Sequence, residues 1–113
     1  MYYHLYFYVP PSHLEQVKTA LFNKGAGKIG NYDACCWEVL GQGQFRPLEN
    51  SQPFVGKANE IEYVAEYKVD MVCALEHIEQ VLQELITVHP YETPAYGVYE
   101  IYTLEDFRHA KLG

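Results

Sequence analysis

The sequence contains little positive charge, few cysteines and no long apolar run. Eight Lys and Arg residues stand against fifteen Asp and Glu residues, and the net charge is −7 at pH 7. An electrostatic field of this sign repels phosphate backbones, so we expect no nucleic-acid partner. No apolar run approaches the roughly 20 residues that cross a bilayer. The N-terminus also lacks a basic segment, so we expect neither a signal peptide nor a membrane partner.

The cysteines are too few and too irregularly spaced for a disulfide framework. They are the adjacent pair Cys35 and Cys36 and the distant Cys73. No C-x-x-C motif is present, and neighbouring residues of a strand point to opposite faces, so the pair is poorly placed to share a metal ion. The sequence therefore predicts reduced thiols and a cytoplasmic location.

Length and composition fit one folded domain. Among 113 residues, 49% are apolar and 20% are charged, which is normal for a globular protein with one core. Since no linker, repeat or low-complexity segment is visible, we predict a single domain over residues 1–113. Residues 103–113 are expected to form a short helical tail, with Thr103 and Asp106 as a weak cap.

Periodicity in the first part of the chain predicts a strand and then a helix. Residues 3–9 are mostly aromatic or β-branched and stop at a proline pair, which is typical of a strand. Ser12 and Glu15 match a capping box, so a helix is expected to begin there. Gly25 has the position of a helix-ending glycine.

The remaining chain predicts three further strands and one helix. Residues 31–40 indicate a second strand that breaks at the glycines of 41–43, and residues 60–71 alternate as a third strand. The apolar stripe of residues 75–86 indicates a helix that stops before Pro90, and residues 95–102 indicate the last strand. The predicted core residues of the second strand are Cys36, Trp37, Val39 and Leu40.

The order β-α-β-β-α-β predicts a ferredoxin-like sandwich of the α+β class. Its antiparallel sheet carries two helices on one face and leaves the other face open. Eleven tyrosines place aromatic rings on both faces of the first and last strands. We therefore expect another copy of the chain to cover the open face. Tyrosines that are half-exposed and need no partner are the alternative.

Two loops carry candidate functional motifs. Residues 25–30 match the G-x-G-x-x-G string of dinucleotide sites, but they follow a helix and open a strand, which is the reverse of that site. A helix cap with a turn is the better interpretation. The proline-rich segment 89–96 predicts a rigid loop that places His89 and Glu92 for a divalent metal or proton transfer. A structural connector, in which His89 bonds to backbone carbonyls, is the alternative that the residues alone favour.

An ordered set of segments resembles a known family, and these segments are residues 25–32, 36–37, 41–48, 53–56, 62–66 and 89–96. They are similar to the inserted middle domain of the Nif-three-like dinuclear-metal proteins (the DUF34 family), from the first strand to the last. Asn59 stands where the family usually has glycine, but asparagine also tolerates a positive φ. Gly97 stands where the family often has an acid.

The resemblance implies a fold of the PII and CutA type, and those proteins are trimers. Full-length family members hold their two metal ions on segments that flank this domain, and those segments do not occur in this sequence. The GTP cyclohydrolase label that some members carry is therefore not transferred. The chain is expected to be the accessory domain on its own.

Three functions stay open, and we favour the first. A trimeric binding or regulatory module would hold a small ligand or a metal ion at loops between subunits, with Arg46 as a fork for a carboxylate or phosphate. A small metal-dependent hydrolase would use His89 and Glu92 as ligands at a subunit interface. A structural assembly module would need the motifs only to shape turns. The predicted ligand-binding residues are Gly27, Gly30, Tyr32, Trp37, Arg46 and Tyr91, the predicted metal ligands are His89 and Glu92, and a divalent metal is the one cofactor suggested.

Overall fold

The computed structural model describes the backbone of residues 1–112 and the side chains of residues 1–109. The first half forms a strand, a 3-10 turn at Pro11–His13, a helix and a second strand, and the second half forms a strand, a helix, a strand and a last helix. None of the helices in residues 1–112 is long and apolar enough to cross a membrane. The elements are β1 (Tyr2–Val9), α1 (Leu14–Asn23), β2 (Trp37–Phe45), β3 (Glu62–Ala74), α2 (Leu75–Val88), β4 (Tyr96–Ile101) and α3 (Leu104–Leu112).

The four strands form one antiparallel sheet in the order β2-β3-β1-β4. Helices α1 and α2 pack on one face, because strand alternation sends every second side chain toward them. Leu5, Phe7 and Val9 of β1 are fully buried there, next to Val69 and Met71 of β3. The predicted α+β sandwich is confirmed. The helices complete the core with Leu14, Val17, Leu21, Val81 and Leu85.

Helix α1 ends as predicted but begins later than predicted. At its C-terminus Gly25 has a φ of +112°, and the Ala26 amide donates to the Leu21 carbonyl at 3.1 Å, as in a Schellman motif. At its N-terminus the capping-box prediction is wrong. The 3-10 turn takes up Ser12, whose hydroxyl lies 2.8 Å from the His13 ring, and no side chain caps the helix.

Strand β2 differs most from its prediction. It occupies Trp37–Phe45, and the glycines expected to break it lie within it. The predicted core residues of this strand are also wrong: Trp37 is 72% exposed, and Cys36, Val39 and Leu40 are exposed too. The physical reason is that β2 is an edge strand that the helices barely reach. Its contact with α1 is the 2.7 Å ion pair between Glu38 and Lys18.

The β2–β3 hairpin projects beyond the rest of the sheet. Residues 62–66 of β3 pair with β2 alone, since β1 pairs with β3 only over residues 67–74. The molecule is accordingly elongated, with extents of 56 × 25 × 23 Å. The hairpin loop, defined here as residues 46–61, closes this projection. Asn59 has a φ of +67° and donates to the Glu49 carboxylate at 2.7 Å, so the turn expected at this asparagine is present.

Helix α3 follows β4 within the segment predicted as a helical tail. The Thr103 amide donates to the Asp106 carboxylate at 2.8 Å, and the Asp106 amide donates back to the Thr103 carbonyl at 3.1 Å. The bond from the Thr103 amide lowers the pKa of Asp106 because it favours the charged carboxylate. Leu104 and Phe107 stay largely exposed on this helix.

Candidate functional site

A cavity of about 500 Å³ lies at the end of the sheet where β1 and β2 end and where β3 and β4 begin. We call this the cavity end. Its lining comes from three sources: the hairpin loop, the residues that precede β4, and side chains of the sheet itself. The segment 89–95, called here the β4 loop, supplies Tyr91 and Glu92, and the sheet supplies Tyr8 and Glu66.

An aromatic wall, made of Phe45, Phe54 and Tyr91, forms the apolar side of the cavity. The Phe45 and Tyr91 ring centroids are 6.4 Å apart, and the Phe54 and Tyr91 centroids are 6.1 Å apart. Both pairs are tilted, within the range of favourable aromatic contacts. His13, at the start of α1, contacts Phe54 edge-on at 5.5 Å. The wall therefore ties the hairpin loop to the β4 loop and to the body of the protein.

Three charged side chains line the same cavity: Arg46, Glu66 and Glu92. The guanidinium of Arg46 forms no ion pair with the side chains that the structure describes. Glu92 Oε1 accepts the backbone N–H of Gln52 at 2.7 Å, which links the two loops. The cavity thus offers one unpaired cation and two carboxylates around an apolar wall.

Glu66 owes its position to a glycine on the neighbouring strand. An added Cβ at Gly43 would collide with Glu66 Oε1, so only glycine lets this side chain lie across β2. At Gly41, two residues earlier on the same face, an added Cβ would come no closer than 4.0 Å to Glu66, at its backbone oxygen. The glycines once expected to break β2 therefore have different roles, and Gly43 makes room for a carboxylate of the cavity.

Tyr91 is held in its neutral form. Burial raises the pKa of its hydroxyl well above the usual value, and the neighbouring Glu66 carboxylate raises it further. A phenol that stays protonated can donate a hydrogen bond to a ligand as well as accept one.

His89 fastens the β4 loop to β1. It is buried, with Nε2 donating to the Tyr8 carbonyl at 2.6 Å and Nδ1 accepting the Tyr91 amide at 3.1 Å. Burial lowers the pKa of this imidazole, in keeping with a neutral ring. Both ring nitrogens are therefore engaged, as in the structural connector weighed above. The metal site at His89 and Glu92 stays a prediction, and the hydrogen bonds of both side chains count against it.

The described residues show no cluster of three or more His, Cys, Asp or Glu side chains that could hold a metal ion.

The other predicted ligand-binding residues lie toward the opposite end of the sheet, called here the turn end (residues 25–37). The Gly27 amide donates to the Val72 carbonyl at 2.8 Å, and the Gly27 carbonyl accepts the Cys35 amide at 2.9 Å. Gly30 lies in a turn that Ile29 and Tyr32 close by pairing, and Tyr32 is 76% exposed. Trp37 begins β2 at this end. The structure brings Arg46, Tyr91 and Glu92 together and leaves Gly27, Gly30, Tyr32 and Trp37 apart from them.

Sequence reasoning missed Glu66 and Phe54 as site residues. Glu66 belongs to the alternating acidic face of β3, where it looked like a solvated charge. Its one distinguishing signal is the glycine-rich stretch of the neighbouring strand. Phe54 lies in an irregular segment between Pro53 and Val55, and its place in the cavity depends on how the hairpin loop folds back.

The face of the sheet away from α1 and α2, called here the open face, carries a partly buried polar and aromatic array. His4 Nε2 lies 2.6 Å from Asp70 Oδ1, and the His4 ring stacks on Tyr99 with centroids 4.8 Å apart. Lys68 lies 5.6 Å from the centroid of the Tyr6 ring. Because no helix of the described chain packs on this face, Trp37, Val39 and Tyr99 remain exposed there.

Comparison with known proteins places this fold and sequence. No family model matches the chain. It is 40% identical over 99 residues to a Halalkalibacterium halodurans protein described as a GTP cyclohydrolase 1 type 2 homolog, which covers 88% of the chain and 27% of that relative. A Mycobacterium leprae protein of the same description is 42% identical over 94 residues, 83% of the chain and 24% of the relative. The chain thus spans about a quarter of the length of these relatives.

Solved structures of two kinds resemble this chain. A Bacillus cereus protein related to NIF3 superposes with a TM-score of 0.77 at 32% identity, over 90% of this chain and 26% of that one. The divalent cation tolerance protein CutA of Archaeoglobus fulgidus superposes with a TM-score of 0.66 at 21% identity, over 95% and 91% of the two chains. The CutA likeness shows the fold alone. Together with the sequence matches, these likenesses confirm that the chain belongs with the Nif-three-like proteins, as a segment of the PII/CutA-like fold.

Proposed function

We propose that this chain is a single-domain, homo-oligomeric binding module that holds a small ligand at the cavity end of its sheet. One observation carries the proposal: the cavity sets an aromatic wall beside Arg46, a guanidinium without an ion-pair partner among the described side chains. Ligand sites are typically apolar concavities with a few convergent polar groups. The bound ligand, rather than a reaction, would be the signal that the module conveys.

Two of the predicted ligand-binding residues carry this site. Arg46 supplies a planar fork of donors for a carboxylate or phosphate, and Tyr91 supplies a ring and a neutral hydroxyl. Glu92 also lines the cavity, but its hydrogen bond to Gln52 gives it the separate task of joining the two loops. Gly27, Gly30, Tyr32 and Trp37 are assigned to the turn and to the open face.

The open face supports assembly into a homo-oligomer, and we propose the trimer that the family resemblance implies. Trp37, Val39 and Tyr99 are large apolar or aromatic side chains that one copy leaves in solvent. Large side chains left exposed on one face of a sheet are often covered by a partner, most simply by another copy. Assembly would also shield the hydrogen bond between His4 and Asp70.

A cytoplasmic location is part of the same proposal. Cys35, Cys36 and Cys73 are all free thiols in the structure. Burial raises the pKa of Cys73 to about 11, so this thiol stays protonated and inert.

Native mass spectrometry of the purified protein tests this proposal. We expect a trimer that retains one small molecule per chain, identified after release by denaturation. Arg46→Ala should lose the small molecule and keep the trimer, whereas Arg108→Ala, which removes an exposed arginine of α3, should keep both. A trimer that is empty in all three proteins and binds neither small anions nor divalent metals would contradict the proposed ligand site. A monomer would contradict the proposed assembly.

A further inference from the structure

We infer that the ligand of the cavity is an α-amino acid with a flat apolar side chain, bound through its carboxylate, its ammonium group and its ring. The inference rests on the proposed ligand site and adds the chemical class. It follows from the mixture of charges that the folded chain collects around the aromatic wall, and from the positions in which it holds them.

The charge balance of the cavity favours a ligand that carries both signs. A simple anion would be attracted by Arg46 but repelled by the carboxylates of Glu66 and Glu92. A simple cation would meet the opposite arrangement. A molecule with one carboxylate and one ammonium group satisfies both kinds of side chain, and each mismatched ligand leaves like charges facing each other.

The two signs are kept separate within the cavity. Neither Glu66 nor Glu92 forms an ion pair with Arg46, although all three line the same space. Glu92 is already engaged by the Gln52 amide at 2.7 Å. Glu66 is therefore the carboxylate assigned to the ammonium group, and Arg46 is assigned to the carboxylate of the ligand.

Glu66 has the room it needs for this task. Its side chain lies over the bare backbone of Gly43, where any Cβ would displace it. It also neighbours the half-buried Tyr91, whose raised hydroxyl pKa keeps the phenol neutral and able to hydrogen-bond. The Glu66 carboxylate therefore lies next to both the β2 backbone and the aromatic wall.

The aromatic wall accounts for the flat side chain of the ligand. The rings of Phe45 and Phe54 are tilted by 46° and 47° relative to the Tyr91 ring, so the wall is not one flat surface. Flat rings pack against such surfaces in offset or edge-on contacts. A volume of about 500 Å³ admits an amino acid of this size.

Isothermal titration of the full chain with four matched compounds tests this inference. L-Phenylalanine has all three features, 3-phenylpropionate lacks the ammonium group, phenethylamine lacks the carboxylate, and L-alanine lacks the ring. We expect L-phenylalanine to bind at least about tenfold more tightly than each of the other three compounds, because each of those lacks one charge-assisted or aromatic contact.

Two variants separate the two charged contacts. Arg46→Ala should weaken the binding of L-phenylalanine and 3-phenylpropionate but leave the affinity for phenethylamine unchanged. Glu66→Gln keeps the shape of the side chain. It should weaken the binding of L-phenylalanine and phenethylamine but leave the affinity for 3-phenylpropionate unchanged. The matched controls, Arg108→Ala and Glu79→Gln, alter exposed charges of α3 and α2 and should change none of these affinities.

The outcomes distinguish this inference from the function on which it rests. If 3-phenylpropionate binds as tightly as L-phenylalanine and both depend on Arg46, the ligand site stands and the amino-acid assignment is overturned. If phenethylamine binds as tightly as L-phenylalanine and Arg46→Ala changes neither affinity, the amino-acid assignment is also overturned, because the carboxylate of the ligand is then not recognised. If none of the four compounds binds and the purified protein holds no small molecule, the proposed function fails with it.

Discussion

The two ends of the sheet both carried motifs that suggested a site, yet the structure gives them opposite characters. At the turn end, backbone groups bond to one another: Gly27 pairs through its amide with Val72 and through its carbonyl with Cys35. At the cavity end, charged and aromatic side chains line a space that no described side chain fills. The glycine-rich motif therefore forms a turn whose backbone groups are already hydrogen-bonded. We expect the ligand site at the other end, where charged side chains come together without forming ion pairs with one another.

The largest expected effect concerns the assembly that joins copies of the sheet. Trp37→Asp places a charge on the open face, where a second copy would have to bury it, so we expect the trimer to dissociate into monomers. Light scattering after size exclusion measures this change. Ile86→Asp places the same charge at an exposed residue of α2, on the other side of the sheet, and should leave the trimer intact. Equal behaviour of the two variants would refute assembly through the open face.

The next prediction tests whether the turn end is structural. Gly27 has a φ of +80°, and an added Cβ would stand 2.8 Å from the Phe22 ring, so Gly27→Ala should lower the free energy of unfolding by about 2–3 kcal/mol. Gly30 has a φ of +57° with open space around it, so Gly30→Ala should lower it by only about 1 kcal/mol. Urea unfolding provides both values. Loss of ligand affinity in Gly27→Ala, with stability unchanged, would reverse the roles assigned to the two ends.

The third prediction concerns His89, which holds the β4 loop of the cavity end. Burial lowers the pKa of folded His89, while the unfolded chain has a pKa of about 6.5, so below about pH 6.5 only the unfolded state takes up the proton. The free energy of unfolding should therefore fall with decreasing pH by up to about 1.4 kcal/mol per unit from this group. His89→Gln should show a shallower slope than the wild type between about pH 5 and pH 7. Identical slopes would show that His89 is not held neutral.

The last prediction has the smallest expected effect and tests whether Gly43 makes room for Glu66 at the cavity end. Gly43→Ala should push the flexible Glu66 carboxylate aside and weaken L-phenylalanine binding several-fold, about 1 kcal/mol or less. Gly41→Ala, on the same face of the same strand, adds a methyl group where nothing lies closer than 4.0 Å and should leave affinity unchanged. Titration of both variants settles the comparison. An equal loss in both would trace the effect to the strand rather than to Glu66.

Much of the fold could be predicted from the sequence because its main signals are local. Alternation in β1 and the apolar stripe of α2 report burial directly, and Gly25 marks the end of α1 through its own backbone conformation. Strand β2 escaped prediction because its apolar residues, Trp37 and Val39 among them, face outward on an edge. Glycine normally weakens a strand, but one glycine of β2, Gly43, makes room for a side chain of the neighbouring strand.

The candidate site could be predicted only in part, for a physical reason. Arg46 and Tyr91 stood out because they belong to distinctive loops, but their meeting depends on how the hairpin loop folds against the β4 loop. Gln52 and Glu92 make that contact across 40 positions of sequence, and no local pattern reports it. His89 shows the converse, since a residue type typical of metal sites is used here to bond backbone groups.

The most direct test of the account is a map of amide chemical-shift changes when L-phenylalanine is added to the isotope-labelled protein. We predict that changes concentrate at the cavity end, in residues 44–55, in residues 89–95 and at Glu66. Residues 25–37 of the turn end should stay unchanged. Chemical-shift changes centred on the turn end, with none at the cavity end, would contradict the proposed ligand site.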